Sequence, residues 1–437
     1  MTLIDLGELT EPTDPEPPRR RHPSSNRRLG AGLVALVALL ALAGAAPPAT
    51  RVYATLPGGS SSELILTDGQ IFTVTPMRGV TDGTQELVAY PRPEQATVMP
   101  QRLAPLWRMP VPTGRAVLQA KSVDGLGVLV STARSRAIGP SDTTETILFD
   151  VRTGQQRWWA PGFATLDGSG RVLLRTFATE EPVTLRSVEL ASGRELWSTS
   201  LAAESWPDYH ERDGKIDAIV VSTAAGDVEV LDPATGEVRY RLPALDDEPT
   251  GFRSAFLVGD LVLVIRNSTT VTAYDLDGLV QRWQAALSLA NYLTSCGALL
   301  CARSSLGGAH LLDPDTGAVR GSPEDVDVLL AGNGRALAIS NTNSGGLDVV
   351  AVDLATGEQL TDYGLWDLVV SYEYLPHLLG VRTLPDVGLL MARLDPAEPG
   401  PRGVDVLIGA TASCQHGYDL IACRRGDGSF GVWQLRD

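Results

Sequence analysis

Lysine is almost missing from this chain: Lys121 and Lys215 are the only two in 437 residues, and 36 basic side chains face 52 acidic ones for a net charge of −16. Nothing in this balance favours nucleic acid or an anionic lipid surface, which require clustered positive charge. Five arginines and five acids cancel within residues 1–28, so the acidity belongs to residues 29–437. The five histidines (His22, His210, His310, His377 and His416) show no metal-ligand spacing. No Gly-x-Ser-x-Gly elbow, phosphate loop or His-Glu-x-x-His helix occurs, so the sequence nominates no catalytic residue. Asp325-Val-Asp327 and Asp246-Asp-Glu248 lack the ligand alternation of a calcium loop, so no metal ligand is nominated either. No strong amphipathic helical stretch occurs after residue 50.

What the chain has is a phrase that returns about every forty residues: Asp150-Val-Arg-Thr-Gly154 with Trp158 eight after the Asp, Asp232-Pro-Ala-Thr-Gly236 with Tyr240, Asp313-Pro-Asp-Thr-Gly317, and Asp353-Leu-Ala-Thr-Gly357. Degenerate copies keep the offsets: Glu189, Gly193 and Trp197, then Asp275, Gly278 and Trp283 with the Gly one place early. Each Asp follows an apolar strand, where its carboxylate can accept backbone N–H groups and close a turn. The Gly suits a left-handed turn position, and the aromatic opens the next strand, where a flat ring can wedge between neighbouring units. The copies at Asp313 and Asp353 carry Gly321 and Thr361 in place of the aromatic. Between the phrases lie strand pairs around Asp-Gly or Gly-Asp, such as 255–265, 165–174 and 122–130, which are hairpin signals.

Anchors at 150, 189, 232, 275, 313, 353 and 395 are 38 to 43 residues apart. Such an array of short strands predicts an all-β fold, a β-propeller of eight four-stranded blades within a range of seven to nine. The last strand, 430–435, either completes its own blade or pairs with the segment 63–74.

The pattern of apolar strand, Asp-x-x-Thr-Gly and Trp at plus eight resembles the PQQ-like repeat, over roughly residues 85–437. That is the blade unit of quinoprotein dehydrogenase propellers and of the propeller lipoprotein in the bacterial outer-membrane assembly machine. The WD-repeat unit would want Gly-His and Trp-Asp pairs, and only Trp366-Asp367 is present. The resemblance implies blade geometry, and many members bind no quinone. Members that are quinoproteins carry vicinal cysteines beside the quinone and acids around calcium; this chain has no adjacent cysteines, so neither pyrroloquinoline quinone nor calcium is expected.

Residues 29–46 hold no charged side chain and at ~1.5 Å per residue cover ~27 Å, close to a hydrocarbon core. Arginines 19, 20, 21, 27 and 28 precede this run and Arg51 lies after it, which keeps the N-terminus cytoplasmic. The expected organisation is a Pro-rich, acidic cytoplasmic tail at 1–28, a transmembrane signal-anchor at 29–49, a linker at 50–62 and an extracytoplasmic propeller at 63–437. A signal peptide cleaved after Ala43 or Ala46 is the competing reading, and Arg27-Arg28 also admits a twin-arginine signal. Either way the ring is exported from the cytoplasm.

The four cysteines form two local pairs, Cys296 with Cys301 and Cys414 with Cys423, each straddling a hairpin turn. Two disulfides are the simplest assignment and fit an oxidising compartment, with a four-Cys zinc site as the alternative. Trp107, Trp158, Trp197 and Trp283 sit at or near the docking position and read as packing between blades. Trp159, Trp206, Trp366 and Trp433 lie off it; of these Trp206 and Trp366 are candidates for a ligand surface suited to a sugar or a peptide. The polar cluster Asp208-Tyr-His210-Glu-Arg-Asp213 reads as a solvated turn before a strand at 216–222. The function expected is a binding or scaffold module for a protein, peptide or cell-envelope glycan, without catalysis. The alternatives are a quinone- and calcium-dependent oxidoreductase and an extracytoplasmic sensor coupled to a cytoplasmic partner.

Overall fold

Runs such as Leu261–Arg266 (LVLVIR) and Thr270–Asp275 (TVTAYD) are rich in β-branched residues and bounded by turn formers, and they fold as strands. The computed structural model describes residues 52–435 apart from 78–83, 95–96, 98, 112–113, 124, 135–143, 177–181, 203–204, 224–225, 245–252, 324–325, 341–346, 357 and 372–374. The tail, the apolar run at 29–46 and Gly357 lie outside the described residues. Among the described residues no helix is long and apolar enough to cross a membrane.

Six four-stranded antiparallel sheets succeed one another along the chain, spanning 63–111, 115–161, 163–201, 206–242, 253–286 and 290–321. A seven-stranded sheet then joins two units. Its strand Gln359–Leu368 pairs through most of its length with Leu347–Asp353, and through Asp367 and Leu368 with Val381 and Gly380 of Leu378–Leu384. The last sheet combines Ala410–Gly417, Leu420–Arg425 and Phe430–Gln434 with Tyr53–Leu56 from the other end of the chain.

Among the described residues this makes nine units, and each neighbouring pair is sealed by its own apolar cluster. One cluster joins Phe72, Trp107, Val128 and Phe149 of the first and second units, and another joins Val220, Val230, Val262 and Tyr274 of the fourth and fifth. The ninth such cluster packs Leu56, Phe430 and Val432 against Leu64, Ile71 and Tyr90, so the sequence of units closes on itself as in a β-propeller. The count, at the top of the expected range, exceeds eight because 63–111 holds the strands of a unit of its own and 410–434 builds another with Tyr53–Leu56.

Closure differs from both sequence readings. Phe430–Gln434 pairs antiparallel with Tyr53–Leu56, with Tyr53 opposite Trp433 and their rings stacked 5.1 Å apart. The segment 63–74 instead contributes to the first unit, and the linker assigned to 50–62 contains the closing strand. Gln101–Arg102 adds in parallel outside Tyr53–Leu56 and covers part of that edge. Arg424 donates to the carbonyls of Gly59 and Ser62 and ties the two chain ends further.

The repeat phrase is the mechanical joint between units. Asp150 Oδ1 accepts the backbone N–H groups of Arg152 and Thr153, both at 3.1 Å, and Asp313 and Asp353 accept the equivalent pairs. The aromatic reaches across to the next unit's phrase: the indole Nε1 of Trp107, Trp158, Trp197 and Trp283 donates to the carbonyls of Val151, Leu190, Pro233 and Pro314, at 2.8 to 3.1 Å. Each acceptor is the residue after the next Asp or Glu. The ring then lies flat on the next Gly, where a Cβ on Gly193 or Gly317 would stand 2.7 or 2.4 Å from Trp158 or Trp283. Those glycines, at φ +72° and +69°, are needed both for backbone handedness and for room.

Tyr240 departs from the docking role expected of it. It is 41% exposed, and across the interface the shortened turn puts Leu279, not Gly, in the slot that bonds back to Asp275. Leu279 sits there at φ 53° with its side chain in the apolar cluster, so no flat glycine surface is offered to a ring. Where the glycine has moved, the clamp is absent.

Candidate functional site

A cavity on the inner strands borders this unclamped interface and the next one. Trp206–Arg212, Arg253–Val258 and Ala290–Ser295 are the first strands of the fourth, fifth and sixth units, and each touches the next. Between them lies a cavity of about 610 Å³, bounded by Trp206 and Asp208, by the run 254–259, and by 292–295. Asp208 also borders a neighbouring cavity of about 280 Å³ walled by Tyr209 and His210.

Alternation along the strand puts Trp206 and Asp208 on one face. Trp206 is 58% exposed, and the Arg175 guanidinium, 8% exposed, sits 3.8 Å from its ring centroid. Facing them, Phe256 and Tyr292 meet edge to face with centroids 5.2 Å apart, and Tyr292 is 48% exposed. Ser222, Thr223, Ser254, Thr294 and Ser295 complete the lining.

The charges here are held out of balance with water. Burial raises the Asp208 carboxyl above the ordinary carboxylate range, although the Leu257 N–H and the Arg175 charge oppose the rise. Burial lowers Arg175, opposed by the charges of Tyr209 and Asp208, and pushes the Tyr209 phenol up to about 12. Such perturbed groups beside a cavity mark a candidate site.

The cluster read as a solvated turn is thus a strand, paired with Lys215–Ser222, and the turn itself is only Asp213–Gly214. His210 bonds through Nδ1 to Asp217 of its own unit and through Nε2 to Asp260 of the fifth at 3.1 Å. Arg212 meets Asp260 at 3.0 Å, Asp217 at 3.4 Å and Asp277 at 4.0 Å. A polar tie replaces the missing clamp.

Of the two tryptophans nominated for a ligand surface, the structure brings only Trp206 to an opening. Trp366 is 3% exposed, donates to the Tyr363 carbonyl at 2.8 Å and packs under Arg382, so it is part of the joint between the seventh and eighth units. The arginine seven after the phrase Asp was overlooked: Arg157, Arg239, Arg282 and Arg320 each reach the same-phrase Asp Oδ2, at 2.7, 2.7, 3.4 and 2.6 Å. That spacing was visible in the sequence. Phe256, Tyr292 and Arg175 carry no repeat signal.

The cysteines pair as Cys296–Cys301 and Cys414–Cys423. With all four in disulfides between non-adjacent residues, and no group of three His, Cys, Asp or Glu poised for a metal among the described residues, the donor set does not fit pyrroloquinoline quinone with calcium.

The fold and the repeat joints define the class, a propeller of PQQ-like repeats. The profile described as outer membrane protein assembly factor BamB matches residues 104–322 and, overlapping, 181–367, and the chain belongs to that family. Among solved structures it is similar to BamB from Moraxella catarrhalis (14% identity, 88% of this chain and 98% of that one, TM-score 0.41). It is also similar to Sqt1 of Saccharomyces cerevisiae (12% identity, 89% and 100%, TM-score 0.46) and to the computationally designed Ika8 protein (14% identity, 74% and 97%, TM-score 0.42). No curated protein matches the sequence.

Proposed function

We propose that this chain is a membrane-anchored, extracytoplasmic propeller that binds a protein, peptide or cell-envelope glycan partner and performs no chemistry on it. One observation carries the reading. In a ring whose repeat residues are engaged in turns and joints, an aromatic and polar cavity of about 610 Å³ lies at the inner edges of three units, and a rigid ring presenting such a surface suits recognition. Membership of the BamB family supports a scaffold role. Export is supported by the two disulfides, which suit an oxidising compartment, and anchoring by the apolar run at 29–46 behind its arginines.

A photo-crosslinking amino acid placed at 206 or 292 in cells should give discrete adducts that are missing when it is placed at 240 on the outer strand. Equal labelling at all three positions, or none at 206 and 292, would defeat the binding role. Protease added to intact cells should degrade the propeller while sparing residues 1–28; protection of the propeller would place it on the other side of the membrane.

A further inference from the structure

We infer that the cavity between the fourth, fifth and sixth units recognises an uncharged sugar chain. The inference rests on the binding role proposed above and names the ligand class for the same cavity.

Three features select a sugar over an extended peptide. A peptide added as a strand needs free backbone donors and acceptors along a sheet edge. On Arg253–Val258 the Leu257 N–H is engaged by the Asp208 carboxylate, and an inward charge opposes a strand added beside it. Recognition is therefore left to side chains. The lining includes two exposed aromatics, Trp206 and Tyr292, together with Asp208 and several serines and threonines. A pyranose presents apolar C–H faces to stack on the rings and a rim of hydroxyls for the carboxylate and hydroxyl groups to bond, and both requirements are met in one cavity.

The charges decide against an ionic ligand. Asp208 and the neighbouring Arg175 are of opposite sign and influence each other, so the wall is close to neutral as a pair. An acidic polymer would meet Asp208, and a cation would meet Arg175 behind the indole. Arg175 covers the Trp206 ring at 3.8 Å, which fixes the indole, and Trp206 as a whole is 58% exposed. A volume of about 610 Å³ lies within the range of small-molecule sites, so the cavity would take a segment of a longer chain.

The test uses the full chain in detergent, titrated by calorimetry with maltohexaose, cellohexaose, xylohexaose, mannohexaose and chitohexaose. Polygalacturonate and an unstructured peptide mixture serve as comparisons. At least one neutral oligosaccharide should bind saturably, and Trp206→Ala and Asp208→Asn should each weaken it by about tenfold or more. Trp159→Ala, an equally exposed tryptophan on an outer strand, should leave binding unchanged. Tyr292→Ala is the second probe should Trp206→Ala unfold, which thermal melts would reveal. No neutral sugar bound, binding indifferent to Trp206 and Tyr292, or binding of the acidic polymer alone would overturn the inference. Peptide binding that is lost with Trp206→Ala would also overturn it while leaving the scaffold role intact; loss of the crosslinks at 206 and 292 in cells would remove both.

Discussion

The interface between the third and fourth units and the one between the fourth and fifth come from the same repeat but are held by different forces. In the first, Trp197 lies on Gly236 and donates to the Pro233 carbonyl. In the second, Tyr240 is exposed, Leu279 fills the glycine slot, and the polar side chains of His210, Arg212 and Asp260 span the gap. An aromatic clamp seals its interface with a ring and one indole hydrogen bond. A polar tie leaves this interface lined by polar groups, and the cavity reaches from it across the clamped joint between the fifth and sixth units. The difference teaches that copies of one repeat can be joined by either chemistry while the ring of units stays intact.

The sharpest way to break the comparison is to remove one clamp. Trp158→Ala deletes a buried ring and its hydrogen bond to Leu190 and should cost about 3–5 kcal/mol, measured by denaturant unfolding of the full chain. Tyr240→Ala should cost less than about 1 kcal/mol, because that ring is exposed and seals nothing. Equal costs would mean that the clamps do not distinguish the interfaces.

Rebuilding the clamp at the lapsed interface sharpens the same point. Leu279→Gly alone should destabilise, since Leu279 packs in the fourth–fifth cluster. Combined with Tyr240→Trp it should recover a coupling of about 0.5–3 kcal/mol in a double-mutant cycle. Strict additivity would show that ring and glycine are not a pair.

The two regions also respond to pH with opposite sign. At the phrase turns, the Arg157 and Arg320 guanidinium groups and the turn N–H donors hold the Asp150 and Asp313 carboxyls below the ordinary range, and backbone N–H groups do the same for Asp353. A depressed folded pKa gives stability that is complete above the unfolded value of about 3.9 and is lost as pH falls through the folded one. Melting temperature should therefore drop progressively in acid, and Asp150→Asn should flatten part of that slope. A smaller effect is expected from Arg212→Ala. Its pairs are half exposed, so the variant should chiefly reduce the sensitivity of the melting temperature to salt.

Much of the ring was legible because the phrase is chemistry rather than mere composition. Asp150, Gly154 and Trp158 announce a turn, a left-handed residue and a docking ring, and the structure uses each in that way. What escaped was set by position in space. Trp206 and Trp366 look alike in the chain, yet one faces an opening and the other is sealed beneath Arg382. Tyr292 and Phe256 belong to different units and meet only after the sheets assemble. The closing strand Tyr53–Leu56 is four residues long and carries no phrase, so only its register with Phe430–Gln434 reveals its place.

The smallest expected effect separates a residue kept for the fold from one kept for a ligand. Asp208 differs from the phrase aspartates in that burial raises its folded pKa. A raised carboxyl binds more protons in the folded state than in the unfolded one between the two values. Its charged form therefore costs stability at neutral pH, and that cost is relieved as pH falls through the raised pKa. Asp208→Asn removes the buried charge while its side-chain oxygen still accepts the Leu257 N–H, so the melting temperature at pH 7 should rise slightly or stay level, and the wild-type advantage on mild acidification should vanish. Asp150→Asn at a clamped interface should lower the melting temperature in the same buffer. A fall with Asp208→Asn as large as that with Asp150→Asn would make Asp208 another fold residue; a rise, joined to loss of oligosaccharide binding, would show that this interface retains a destabilising charge because a ligand uses it.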